Sequence, residues 1–456
     1  MIVWTKYGKI EGITERGCSV FKGVPYAKPP VGALRFRKPQ PCETWDGVYR
    51  ADHFRCKSMQ GPGRGGFYQK EFYSNPEFST EPGEDSLYLN IWAPQAHSSE
   101  KYPVAVYVHG GAFMSGAGSN LPFVCDQLVR AGVIVVTINY RLGAFGFLCH
   151  PILGVEGENK AGGNFGLWDQ IAALAWVKEN IEAFGGDSRN ITAFGQSAGA
   201  MSLQALAVSP KAEGLFDRMI LQSGGGCRNP LQEYRTIESA ADTAEELLNA
   251  LGIPHKEWAG NPAVRAAALQ ALQQTSAQKL MEAVDQVMGK AFAQKRGIPF
   301  APVIDGELLP ADGNILIDQG KYCHIPYMLG SNADDITTEN QAVRSPETNR
   351  MHAGNVAFAK KVNKEADSAA YVYYFQRKMP GDDSGAFHSA ELWYVFGSLE
   401  FCWRPLTEAD RRLSQKMIAC WSNFMKSGNP NGPGEKGWRP CTEEDPYFEV
   451  LDADET

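Results

Sequence analysis

Ser197 stands in Gly195-Gln196-Ser197-Ala198-Gly199, a serine set between small residues at the spacing G-x-S-x-G. A serine hydroxyl is a weak nucleophile until a base takes its proton, and this pentapeptide builds the sharp strand-to-helix turn that exposes the hydroxyl to an acyl carbon. The pentapeptide alone is a weak signal. Its setting strengthens it, because an apolar run ends at Phe194 and a helical pattern opens at Ala198. A second motif, His109-Gly110-Gly111-Ala112-Phe113, follows the apolar run Tyr102 to Val108. Glycines there let the backbone come close to a substrate, so the amides of Gly110 and Gly111 could join that of Ala198 around a developing oxyanion. His109 reads as the residue that orients this loop rather than as a base.

Acyl transfer of this kind also needs an acid and a base, in the chain order Ser, Asp or Glu, His. Gly330-Ser331-Asn332-Ala333-Asp334-Asp335 follows a strand-like run, and Gly385-Ala386-Phe387-His388 lies further along. Of the eight histidines, His324, His352 and His388 fall near or beyond the two aspartates. Only His388 sits in a glycine-bounded loop after a strand, so it is the candidate base, with a surface or core histidine as the alternative reading.

The elements that must hold these residues can be read from periodicity. Tyr102 to Val108 and Val133 to Ile138 are continuous apolar runs, the pattern of strands buried on both faces. Phe165 to Phe184 is helical and stops at Gly185-Gly186; Ile191 to Phe194 is a strand, Ala198 to Val208 a helix and Arg218 to Gln222 a strand. Alternation of this kind predicts an α/β fold with a mostly parallel sheet. Tyr327 to Gly330 and Ala370 to Phe375 add strands, and Arg411 to Lys426 a terminal helix. Ile2 to Val24 reads as an antiparallel meander, and 26 to 86 as long surface loops rich in Gly, Pro and aromatics. No repeat or low-complexity linker divides the chain, so 1–456 reads as one domain, with helical cap elements at about 236–290 and 337–368.

The ordered motifs resemble those of the type-B carboxylesterases, the family of cholinesterase-like and bacterial para-nitrobenzyl esterase-like enzymes. The likeness runs over nearly the whole chain: Phe21 to Ala27, Glu84 to Asn90, the two glycine motifs, Asn139 to Gly143, Gly166 to Gln170, Phe184 to Asp187 and His388 to Leu392. It implies an α/β-hydrolase fold, a triad of Ser197, Asp335 and His388, and oxyanion amides from Gly110, Gly111 and Ala198. It further implies structural ion pairs Arg35 with Glu84 and Arg141 with Asp169, and Ser223 as a partner of the acid. The implied activity is hydrolysis of small-molecule carboxylic esters, without metal or organic cofactor; an amidase or peptidase on the same fold and an inactive binding module are the alternatives.

Four departures from the family pattern stand out. Asp334-Asp335-Ile336 replaces the usual Asp-Glu-Gly, so the acid is one carbon shorter and a glycine is lost. Gln196 stands where Glu is common, Ser86 where secreted relatives have a cysteine, and the stretch from acid to base is short, which suggests a reduced cap. No Trp lies between Trp45 and Trp92, where choline-binding relatives place one, and this disfavours cholinesterase activity.

Composition excludes other classes. The formal net charge is −8 with no basic stripe, which argues against nucleic acid. No apolar run is long enough for a membrane span, and residues 1 to 10 lack the apolar core of a secretory signal, so a cytoplasmic protein without membrane or obligate protein partner is expected. The ten cysteines show no CxxC pair and read as free thiols. Two GxGxxG strings, at Gly61 and Gly432, neither follow a strand nor open a helix and carry no dinucleotide reading.

Overall fold

The computed structural model describes residues 1–62, 65–95, 100–154, 162–259, 261–336, 345–365 and 368–453. Ten strands form the main sheet: β1 (Ile13–Glu15), β2 (Cys18–Pro25), β3 (Tyr88–Pro94), β4 (Tyr102–Val108), β5 (Ile134–Ile138), β6 (Gly186–Gln196), β7 (Arg218–Gln222), β8 (Tyr327–Asn332), β9 (Ala370–Phe375) and β10 (Glu449–Leu451). Their order across the sheet is β10-β9-β8-β7-β6-β4-β5-β3-β2-β1. Neighbours from β10 through β5 run parallel. On the other side β3, β2 and β1 join by antiparallel pairings. Val104 to Val108 and Ile134 to Ile138 are entirely buried, as continuous apolar runs must be when helices cover both faces.

The meander expected at the N-terminus is split between two sheets. Ile2–Thr5 and Gly8–Glu11 form a hairpin that takes Val48–Arg50 as a third, parallel strand, while β1 and β2 form the edge hairpin of the main sheet. The loop region 26 to 86 is less irregular than expected, for Phe67–Phe72 is a short helix entered from Gly66 at φ 90°. The glycine string at Gly61 therefore does abut a helix. Gly63 of that string lies outside the described residues.

Between β7 and β8 the chain forms the helices Ile237–Leu251, Pro262–Gln274 and Ala277–Ala293, in the stretch read as a cap. Each begins where a side chain can accept from a free amide: Thr236, Asn261 and Ser276 cap the three N-termini. Of the second stretch read as cap, 337–344, 366 and 367 lie outside the described residues. Its helix Arg350–Glu365 packs on β8 and β9, burying Phe358 and Val362.

Both ion pairs implied by the family resemblance form. Arg35 binds Glu84 through two nitrogens, at 2.6 and 2.5 Å, and gives Nη1 to the carbonyls of Leu272 and Thr275, tying the N-terminal loops to the helical insertion. Arg141 binds Asp169 at 2.8 and 2.7 Å, with Asp169 fully buried. Ser86 bonds to Ser58 at 3.0 Å, and Cys56 is a free thiol.

Candidate active site

Parallel strands bring their carboxyl ends to one rim, and ligands of such sheets bind beyond that rim. Here β4 ends at Val108, β6 at Gln196, β7 at Gln222 and β8 at Asn332, so the two glycine motifs, Ser223 and the aspartate pair all emerge together. Ser197 adopts φ 56° and ψ −127°, a left-handed conformation that costs an L-residue about 1–3 kcal/mol, and the helix Ala198–Ala207 starts at once. Its backbone N–H donates to the Gln222 carbonyl at 2.8 Å, which anchors the turn to β7.

The glycines of the elbow are explained by approach distances. A Cβ on Gly195 would lie 2.8 Å from the Val108 carbonyl oxygen, and one on Gly199 would collide with that same oxygen. The helix after Ser197 thus sits against the end of β4, where the loop His109 to Phe113 begins. Within that loop a Cβ on Gly110 would stand 2.7 Å from the Gln196 carbonyl and 2.9 Å from Ser197 Cβ, and Gly111 has φ 102°. Among the described residues, no carbonyl or side chain accepts from the N–H groups of Gly110, Gly111 or Ala198, leaving three backbone donors beside the serine. His109 supports the loop: its Nδ1 donates to the Gly110 carbonyl at 2.8 Å, and its ring stacks on Tyr140 at 4.5 Å. Burial pushes its pKa down to about 4, so it stays neutral.

His388 and Asp335 meet at 2.5 Å through Nδ1 and Oδ1. The carboxylate is oriented by backbone donors: Asn332 N–H at 3.1 Å on Oδ2 and Ile336 N–H at 3.0 Å on Oδ1. Asp334 turns the other way and accepts from the Ala386 N–H at 2.6 Å, tying its loop to the segment that carries His388. The fully buried Ser223 hydroxyl lies near enough to Asp335 to favour its charge without the geometry of a formed hydrogen bond. Burial works against both charges of the dyad, but their mutual attraction outweighs it. The Asp335 carboxyl is held below its ordinary range, and His388 is raised above 6.5 by Asp335 with help from Glu391.

Three further residues have no role in the expectations set out above. Glu391, fully buried and three residues after His388, accepts from Asn332 Nδ2 at 2.6 Å and Gln222 Nε2 at 3.3 Å, and burial pushes its pKa up to about 7. A carboxylate three residues from a candidate base was the available signal. Tyr68, on the helix Phe67–Phe72, donates to the His388 carbonyl at 3.2 Å, while Phe67 packs edge-on against Phe387 at 4.7 Å. Gln196 places its amide nitrogen 3.2 Å from His388 Nε2.

The sequence pattern of the carboxylesterase family matches residues 1–350 and 337–456. The chain is 35% identical to the para-nitrobenzyl esterase of Bacillus subtilis (strain 168) over 501 residues, covering 100% of this chain and 95% of that protein. It is 29% identical to carboxylesterase 1E of Mus musculus, over 98% of this chain and 88% of the relative. Among solved structures, a PNB esterase superimposes with a TM-score of 0.84 at 33% identity, covering 100% of this chain and 96% of that one. A Geobacillus stearothermophilus carboxylesterase superimposes with a TM-score of 0.79 at 30% identity, covering 99% and 96%.

Proposed function

The chain belongs to the carboxylesterase family and is a carboxylic-ester hydrolase, and from that premise we propose that Ser197, His388 and Asp335 carry its reaction. His388 Nε2 takes the Ser197 proton as Oγ bonds to the ester carbonyl carbon, and the amides of Gly110, Gly111 and Ala198 receive the oxyanion. Collapse of the tetrahedral intermediate breaks the bond to the alcohol oxygen, which takes its proton from His388. Water, deprotonated by the same ring, then frees the acid and restores the serine.

The observation that carries this reading is the 2.5 Å contact between His388 Nδ1 and Asp335, which keeps the proton on Nδ1 and the lone pair on Nε2. Ser197→Ala should lower hydrolysis of a short p-nitrophenyl ester by roughly 10⁶-fold with unchanged circular dichroism. Retained activity in the folded variant would reject the triad.

Three finer points belong to the same proposal. The chain acts as one hydrolase domain whose helices Ile237–Leu251 to Ala277–Ala293 cap the site, supported by the Arg35 clamp between that insertion and the N-terminal loops. It is a bacterial, cytoplasmic enzyme that needs no nucleic acid or obligate protein partner, supported by its net charge and its likeness to a Bacillus subtilis protein. Among the described residues no helix is long and apolar enough to cross a membrane. An anilide assayed beside the matching ester separates this reading from an amidase.

A further inference from the structure

Gln196 occupies the middle of the site without a part in the reaction as written above. It is the last residue of β6, 2% exposed, and fixed by the strand on one side and the Ser197 turn on the other. Its Oε1 lies along the oxyanion loop, 3.1 Å from where a Cβ on Gly110 would stand, and its Nε2 is 3.2 Å from His388 Nε2. The side chain therefore bridges the oxyanion loop and the base.

The chemistry of that contact is one-directional. With the His388 Nδ1 proton given to Asp335, Nε2 of the neutral ring carries a lone pair and can only accept. The partner it meets must be a donor, and the Gln196 amide nitrogen is one. The same lone pair is the one that must take the Ser197 proton. In the free enzyme the base is thus already occupied by a neutral donor, one residue before the nucleophile.

We propose that Gln196 is a positioning residue that holds the His388 lone pair in the resting enzyme, stabilises the neutral ring, and releases it to Ser197 when substrate binds; this rests on the triad reading above. Once Nε2 is protonated the amide N–H no longer fits, and a half-turn of the terminal amide offers Oε1 as an acceptor instead. A carboxylate at this position has no donor face. It could only accept from the protonated ring, so it would favour imidazolium and take the base out of service in the free enzyme over a wider pH range.

Among the described residues, the groups that bear on the His388 charge from the surrounding elements are few. Asp335 comes from the loop after β8, Glu391 from the base's own segment, Gln196 from the elbow, and the Tyr68 hydroxyl reaches the His388 carbonyl from the helix Phe67–Phe72. Asp335 and Glu391 both raise the ring's pKa. Gln196 opposes them by donating to the neutral form.

The test is the acid limb of kcat/KM against pH for a p-nitrophenyl ester, which reports the base in the free enzyme. Gln196→Glu should move the limb up by about one to two pH units, the usual effect of an opposite charge in contact. Gln196→Met, of similar size but with no donor, should move it up by less than the Glu variant does. A limb that stays at the wild-type position in either variant overturns the proposal, as does a downward shift in either. If the Glu variant does not fold, an unmoved limb in Gln196→Met suffices to overturn it. Ser197→Ala is run in parallel: activity surviving there removes the triad itself, whereas an inactive Ser197→Ala with unmoved limbs removes the role of Gln196 alone.

Discussion

Asp334 and Asp335 are adjacent yet serve opposite sides of the segment that holds His388, one on the Ala386 amide and one on the His388 ring. Asp335→Asn should lower kcat steeply with little change in KM, by about 10⁴ if the loss matches that of a serine protease triad. Asp334→Asn should act mainly on stability, and a larger loss of kcat there, in folded protein, would reverse the assignment. The sequence made the order Ser, Asp, His legible, and the family resemblance chose the second aspartate. It gave no sign that the shorter acid could still reach the ring, because that depends on how the Asn332 and Ile336 amides seat the carboxylate. Glu391 left one signal, a carboxylate three residues after the candidate base, but its partners Asn332 and Gln222 come from two other strands and could not be read. Its carboxyl keeps a proton to about 7 in the folded chain but loses it near 4.5 when unfolded. Between those values the folded state binds more protons, so this group's contribution to stability falls as pH rises through the window. His388, raised above 6.5, adds stability that is full below 6.5 and is lost as pH rises through its folded pKa. Melting temperatures across pH 4 to 8 should therefore decline less steeply in Glu391→Gln than in wild type (range chosen to bracket ~4.5 to ~7). Parallel curves would show that Glu391 does not titrate in this window.

At the scale of elements, the helix Phe67–Phe72 is too short to stand on its own. Glu71 holds it: its buried carboxylate accepts from Arg404, from Trp393 Nε1 at 2.9 Å and from Trp403 Nε1 at 2.9 Å. Arg404 is itself shared with Asp382 at 2.8 Å and lies over the Phe387 ring at 5.1 Å. Through this pair the helix is pressed against the loop that bears His388. Arg404→Ala leaves Glu71 buried and unpaired, which should cost about 3–5 kcal/mol by urea denaturation and reduce activity as the base loses its cover. A variant as stable as wild type would show that the pair contributes nothing to the fold. This helix was invisible in the sequence because its partner lies more than three hundred residues away. Strands built around short apolar runs were legible to the residue, as at Tyr102–Val108, Arg218–Gln222 and Ala370–Phe375. Only Ile191 to Phe194 of Gly186–Gln196 was read, since the register of its first half is shifted against β4 and its polar residues show no alternation.

For the molecule as a whole, the sheet has two open sides, and both are short. β1 and β10 have three residues each, and each carries a glutamate held by a lysine, Glu15 by Lys22 at 2.5 Å and Glu449 by Lys416 at 2.6 Å. An unpaired strand is a template for a second chain, and brevity with charge is how natural sheets refuse one. If copies of this protein associate, they should do so through helices and loops and not by lengthening the sheet. Removing the guard with Glu15→Val and Glu449→Val together should make a concentrated sample, held below its melting temperature, gain infrared intensity from intermolecular β-structure relative to the parent. No such gain would mean that the rims are guarded by something other than charge. The two rims where a sheet this wide could meet a second chain thus come down to six residues, far from the serine and independent of whether the enzyme turns over.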